Sequence, residues 1–232
     1  MKYLRWVWIS LCLYGCTIHQ PERKSAAVFS FQLPEINVIH QPVIDPVPSL
    51  GMVEIEGVLK ESFVQGKDNK EYLYRNADGT ATTAGANFLD YRCTIDSDNI
   101  IVYGHSSRTS DILFTPLMQY LDEKFARNHQ QIVLTYSNEI RVYRLMSIFL
   151  FHTQRPSDND WMIVDYQRDF LFMKAQERLM KRSLYSFEHS SANQLLTLVT
   201  CNTENHDERL IVIGVRIDKK ELYNEINGGR TL

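Results

Sequence analysis

Two pairs of apolar runs limit the fold more than any other feature of this chain. Gln131–Tyr136 and residues 140–151 are rich in Val, Ile, Leu and Tyr, and Ser137-Asn138-Glu139 between them reads as a turn. Leu195–Cys201 and residues 210–217 form the second pair, a shorter β-branched run covers residues 100–103, and residues 52–59 alternate weakly. Strands this frequent, joined by loops, point to a β-sandwich or a barrel. Two helical stretches interrupt them. Thr115-Pro116 is a start signal, with Thr as cap and Pro at the first helical position, followed by Leu117, Tyr120, Leu121 and Phe125 near helical spacing. Residues 165–184 hold no Gly or Pro and set Phe170, Met173, Leu179, Met180 and Leu184 among Lys and Arg. They predict an amphipathic helix lying on the sheet.

The N-terminus is a different kind of sequence. Lys2 and Arg5 precede an uncharged run of 13 residues, 6–18. At about 1.5 Å per residue a helix of that length spans roughly 20 Å, short of the ~30 Å hydrocarbon core. A cleaved export signal, a short uncleaved anchor and a lipoprotein signal on Cys16 all remain open, and each places the rest of the chain outside the cytoplasm. Residues 19–50 carry five of the seven prolines and read as a linker or an irregular arm. The folded domain is expected over residues 51–232.

Composition excludes several functions. Lys and Arg number 25 against 28 Asp and Glu, a formal charge of −3, which leaves no electrostatic case for nucleic acid. Four cysteines are too few for a disulfide scaffold in 232 residues. CxxC, HxxxH, HExxH and Gly-x-Gly are all absent, so no metal site, phosphate loop or cofactor is expected. What remains is Thr197-Leu-Val-Thr-Cys201, a β-type run ending in cysteine, with Arg209 eight residues on and Ile101-Val-Tyr-Gly-His105 as another strand ending in His. Cysteine, histidine and arginine at strand ends can meet on one rim of a sheet. There a thiolate attacks a carbonyl, an imidazole moves the leaving group's proton and a guanidinium stabilises the oxyanion. Each residue also has a plain alternative: a small buried hydrophobe, a hydrogen-bonded histidine, a salt-bridged arginine.

These residues resemble the signature of sortases, the cysteine transpeptidases of Gram-positive cell surfaces. Thr197-Leu-Val-Thr-Cys201 with Arg209 matches their cysteine and arginine motifs, and Tyr103-Gly-His105 their histidine motif. Val64-Gln-Gly-Lys-Asp-Asn-Lys-Glu-Tyr-Leu73, Ala86-Asn-Phe-Leu-Asp-Tyr-Arg92 and Phe114-Thr-Pro-Leu-Met-Gln-Tyr120 are similar to class B members, as is a long helix before the Cys strand. The resemblance covers about residues 51–217. It implies a mainly β fold: an eight-stranded barrel with an N-terminal helical or irregular arm and that inserted helix. It further implies Cys201 as nucleophile, His105 as general acid/base and Arg209 as oxyanion partner, with Tyr103, Asn69 and Val199 as candidates for the substrate groove.

The implied reaction cleaves the sorting signal of a surface protein after Thr. The acyl group then passes from a thioacyl-enzyme to an amine, of a peptidoglycan precursor or of a pilin lysine. A surface binding module without activity is the alternative. The implied location is the cell membrane, held through the N-terminus with the catalytic domain outside. The chain departs from the family pattern at Ser106-Ser107, where Asn is common after the His. It departs again at Val199, where class B members often carry Ser to contact the sorting peptide. Cys93 has no implied role.

Overall fold

The computed structural model describes residues 49–110, 112–154, 159–188 and 193–218. The segment 1–18 and the arm expected after it, up to residue 48, lie outside these residues. Eight strands run β1 Gly51–Ile55, β2 Leu59–Gln65, β3 Phe88–Leu89, β4 Asn99–Tyr103, β5 Gln131–Tyr136, β6 Glu139–His152, β7 Leu195–Cys201 and β8 Glu208–Arg216. They close into a barrel in the order β1-β2-β3-β4-β7-β8-β6-β5, with β5 pairing back onto β1. Of the sandwich and the barrel, the chain therefore adopts the barrel, which leaves no open sheet edge.

Local chemistry explains the pairing. Ser137 and Asn138 take φ of 50° and 64°, and Tyr136 faces Glu139, so β5 and β6 are joined by a two-residue turn with both central residues left-handed. Turns of that kind match the right-handed twist of the strands they connect. Residues 52–59 are not one strand but the ends of β1 and β2, which meet at Ile55 and Leu59 across Glu56-Gly57-Val58. Val53, Ile55 and Leu59 all point inward, so the alternation passes through the turn unbroken and imitates a single strand.

The helices differ from expectation in register. A 3-10 helix, Thr115–Leu121, precedes the short helix α1, Glu123–Asn128. Thr115 is not its cap: its hydroxyl accepts from Ser107 N at 2.8 Å, while Asp122 caps α1 by accepting from Phe125 N at 2.7 Å. Helix α2 spans Asp169–Lys181 between β6 and β7. It buries Phe172, Ala175, Gln176 and Leu179, whereas Phe170 and Met173 face outward at 63% and 55% exposure. The apolar residues on this helix occupy both faces, and only the stripe spaced 3, 1 and 3 residues apart from Phe172 meets the barrel. Its C-terminal turn is held by β6, where Ser147 Oγ donates to Leu179 O at 2.7 Å beside a bulge between Leu145 and Ser147. Among the described residues no helix is long and apolar enough to cross a membrane.

The interior packs Phe63, Phe114, Tyr120, Tyr143 and the inward residues of all the long strands. Each fully buried aliphatic side chain contributes about 1.5–3 kcal/mol of transfer free energy. That core makes β4, β7 and β8 a rigid base for whatever stands at their ends.

Candidate active site

β4 and β7 run parallel, with Tyr103 opposite Val199 at the end of the ladder. The chains stay together beyond it: Gly104 N donates to Val199 O at 2.9 Å, and Ser106 Oγ donates to Cys201 O at 2.6 Å. His105 and Cys201, each two residues past the Tyr103–Val199 pair, therefore reach the same level of neighbouring strands. β8 runs antiparallel to β7 and sets Arg209 directly opposite Cys201. Residues opposed in this way share a face of the sheet with Cβ atoms about 4.5–5.5 Å apart. The register thus sets His105 and Arg209 on the two strands that flank Cys201, at its level.

Close packing under His105 depends on Gly104. A methyl at that position would lie 2.4 Å from both Asn87 Oδ1 and Phe114 Cγ. The backbone N–H of Phe114 in turn donates to His105 O at 3.0 Å, which ties the histidine to the helical segment that follows. His105 is half-buried. Burial holds its pKa below the ordinary imidazole value; the Leu73 carbonyl works against this, and the nearby Arg209 charge adds to it.

Cys201 is a free, partly exposed thiol. Arg209 is oriented by its own loop: Nη1 donates to His206 O and Glu208 O, both at 2.9 Å. The β7–β8 loop is braced in several ways. Asn202 Nδ2 donates to Glu208 Oε2 at 2.7 Å, Arg108 Nε donates to Thr203 O, and Arg108 Nη2 donates to Glu204 O at 3.3 Å. Against this loop, Ser107, Arg108, Thr115, Thr203 and Glu204 line an open polar cavity of about 490 Å³.

The three residues suggested for a substrate groove are each engaged within the fold. Val199 shares the Cys201 side of β7 but is only 4% exposed and belongs to the core. Tyr103 stacks on Phe88 at 5.2 Å and donates its hydroxyl to Asp90 Oδ2 at 3.1 Å. Asn69 donates to the same Oδ2 at 2.8 Å and accepts from Tyr91 N at 3.0 Å. Asp90, whose side chain is fully buried, also takes Arg92 Nε and Nη2 at 2.9 and 2.8 Å. Tyr103 and Asn69 are thus members of one saturated network. Cys93 lies beside it, 3% exposed, with its Sγ donating to Asn99 O and accepting from Ile101 N, both at 3.4 Å. Burial pushes that thiol up to about 12. Two contributors were not singled out in the sequence. Gly85 and the Leu73 carbonyl both approach the His105 ring, and no local pattern marks either for that task.

A family model described as a Sortase domain matches residues 63–217. The chain belongs to the sortase family. Solved structures similar to it include sortase B from Clostridium perfringens, at 23% identity and a TM-score of 0.68, covering 75% of this chain and 96% of that one. Sortase B from B. anthracis in complex with AAEK1 matches at 25% identity and a TM-score of 0.65, covering 74% of this chain and 79% of that one. A Staphylococcus aureus sortase B–substrate complex matches at 21% identity and a TM-score of 0.65, covering 73% and 80%. No curated protein sequence matches the chain. The mainly β eight-strand barrel is that of class B sortases, and the protein is a cysteine transpeptidase of this family.

Proposed function

We propose that this sortase cleaves the sorting signal of a surface protein after its Thr, holds the acyl group as a thioester on Cys201, and passes it to an amine of peptidoglycan. The Cys201 thiolate attacks the Thr carbonyl, the oxyanion faces the Arg209 guanidinium, and the amine leaves with a proton from His105. The reading places the enzyme at the cell membrane, anchored through residues 6–18 with its domain outside. One observation carries the chemistry: the parallel register of β4 with β7 and the Cys201–Arg209 pair of β7 with β8 bring all three groups to one rim. Support for a peptide substrate comes from the S. aureus sortase B, whose structure is a substrate complex.

Hydroxylamine tests the thioester by intercepting it as a hydroxamate of the sorting peptide. The wild type and Cys93→Ser release hydroxamate, and Cys201→Ala and His105→Ala do not. Hydroxamate from Cys201→Ala, with a dead Cys93→Ser, overturns the assignment. The same peptide offered with a peptidoglycan amine and a pilin lysine peptide identifies the acceptor, and transfer to the lysine alone makes the enzyme a pilin polymerase. Protease added outside intact cells removes the domain; full protection refutes the topology.

A further inference from the structure

Residues 72–86 fold back on themselves over His105. Ala86 N donates to Tyr72 O at 3.1 Å and Thr82 N to Tyr74 O at 2.9 Å, while Asn76, Gly79 and Thr80 close the tip. This places the Leu73 carbonyl and Gly85 together against the histidine ring. Gly85 has φ +66°, and a methyl there would lie 2.6 Å from His105 Nε2 and 2.7 Å from Leu73 O. Among the described residues Nε2 is sealed from solvent without an aligned hydrogen-bond partner, although the Leu73 carbonyl is close enough to favour the protonated ring.

From this geometry we infer that Leu73 O and Gly85 are positioning elements for the reaction proposed above, on which this inference rests. The Leu73 carbonyl keeps a proton on Nε2, and Nδ1 alone exchanges protons with Cys201 and the leaving amine. In acylation Nδ1 first takes the thiol proton. The C–S bond then forms as the C–N bond of the sorting signal breaks, and the Nδ1 proton goes to the departing nitrogen. Nε2–H keeps its proton throughout. A backbone carbonyl here does what a carboxylate does in other nucleophile–base–orienter sets: it fixes the tautomer and the ring. Gly85 is required because any side chain would occupy the space where ring and carbonyl approach.

The molecule supplies its own control. Gly79, at the tip of the same segment, has φ +83° and nothing within 4 Å of an added methyl. Gly79→Ala and Gly85→Ala therefore impose similar backbone strain, but only the second pushes on His105. With the full chain labelled at histidine nitrogen, the wild type shows a slowly exchanging proton on His105 Nε2 and none on Nδ1 at neutral pH. That signal persists in Gly79→Ala and is lost in Gly85→Ala. Turnover in Gly85→Ala falls roughly 10²-fold, the scale of an ångström-sized misplacement of a catalytic group, while Gly79→Ala stays near wild type. A bare Nε2 in the wild type overturns the inference even if Gly85→Ala does not fold. So does an unchanged Nε2–H signal in a folded Gly85→Ala. Loss of the thioester reading would register separately, as hydroxamate formation by Cys201→Ala.

Discussion

Cysteine beside arginine occurs twice in this barrel, with opposite consequences. Cys93 follows Arg92 in the chain, and Cys201 faces Arg209 across two strands. Arg92 is bound bidentately to the buried carboxylate of Asp90, so its charge is answered within 3 Å. Cys93 lies 3% exposed under the sheet, and burial lifts its thiol to about 12. Among the described residues Arg209 is held by neutral carbonyls through Nη1, and Cys201 is partly open to solvent. Adjacency to a cation does not make a nucleophile. A cation already paired with a carboxylate has little left for a thiolate, and a buried sulfur has no water to stabilise its charge.

The largest test of that contrast is selective alkylation of the native protein. At pH 8 a thiol with a pKa of about 12 is ionised to only about 1 part in 10⁴, and Cys93 is buried where Cys201 is partly exposed to the reagent. Labelling should therefore favour Cys201 over Cys93 by at least roughly 10³-fold, and the two should converge in denaturant. Comparable rates in the folded protein would remove the distinction between the sites.

Next in size is exchange of the two arginines for lysine. Arg209→Lys keeps the charge but loses the planar fork, and should cost roughly 10²-fold in turnover, as removal of one oxyanion donor does. Arg92→Lys should leave turnover nearly intact and lower the denaturation midpoint instead. If Arg209→Lys turns over normally, Arg209 is a structural residue like Arg92.

The Asp90 network sharpens the other half of the comparison. Burial alone would raise the Asp90 pKa, but donation from Arg92 and Asn69 outweighs it and holds the carboxyl below the usual carboxylate range. Asp90 thus stabilises the fold above its unfolded pKa, and that contribution is lost as pH falls through the lower folded value. Asp90→Asn should cost about 2 kcal/mol at neutral pH, the worth of hydrogen bonds to a buried charge. It should also flatten the acid limb of the stability profile. An unchanged denaturant midpoint would mean that the Asp90 network, Tyr103 and Asn69 included, does not hold the fold together.

How much of this was legible depends on the range of the interaction. β5 and β7 lie where their residue types placed them, because a long β-branched run pairs the same way in any barrel. The placement of Cys201, His105 and Arg209 was also readable, since all three lie at or just beyond a strand end. β3 was not: Phe88–Leu89 is two residues long and is a strand only because β2 and β4 flank it. The buried face of α2 was misread for a related reason. Its apolar residues lie on both sides, and packing on β6, the Asp160–Met162 turn and Tyr166 selects Phe172, Ala175 and Leu179. Gly85 and Leu73 meet His105 across 20 and 32 positions of chain, a relation no local pattern encodes.

The smallest expected effect lies in the pH dependence that His105 adds to stability. Its folded pKa is depressed by burial, with the Arg209 charge adding to the effect. As pH falls through the unfolded value near ~6.5, the unfolded chain takes up a proton that the folded chain refuses. His105 therefore makes the fold less stable below that pH, until the folded value is reached and the slope vanishes. One proton can give at most about 1.4 kcal/mol per pH unit, and partial exposure of the ring with salt screening keeps the effect well under that ceiling. Denaturant midpoints from pH 7.5 to 5 should thus fall slightly more steeply in the wild type than in His105→Gln. The six other histidines are common to both proteins and cancel. Equal slopes would show that the ring is no harder to protonate in place than in the unfolded chain. The catalytic rim would then differ from the Asp90 network in its partners but not in its hydration.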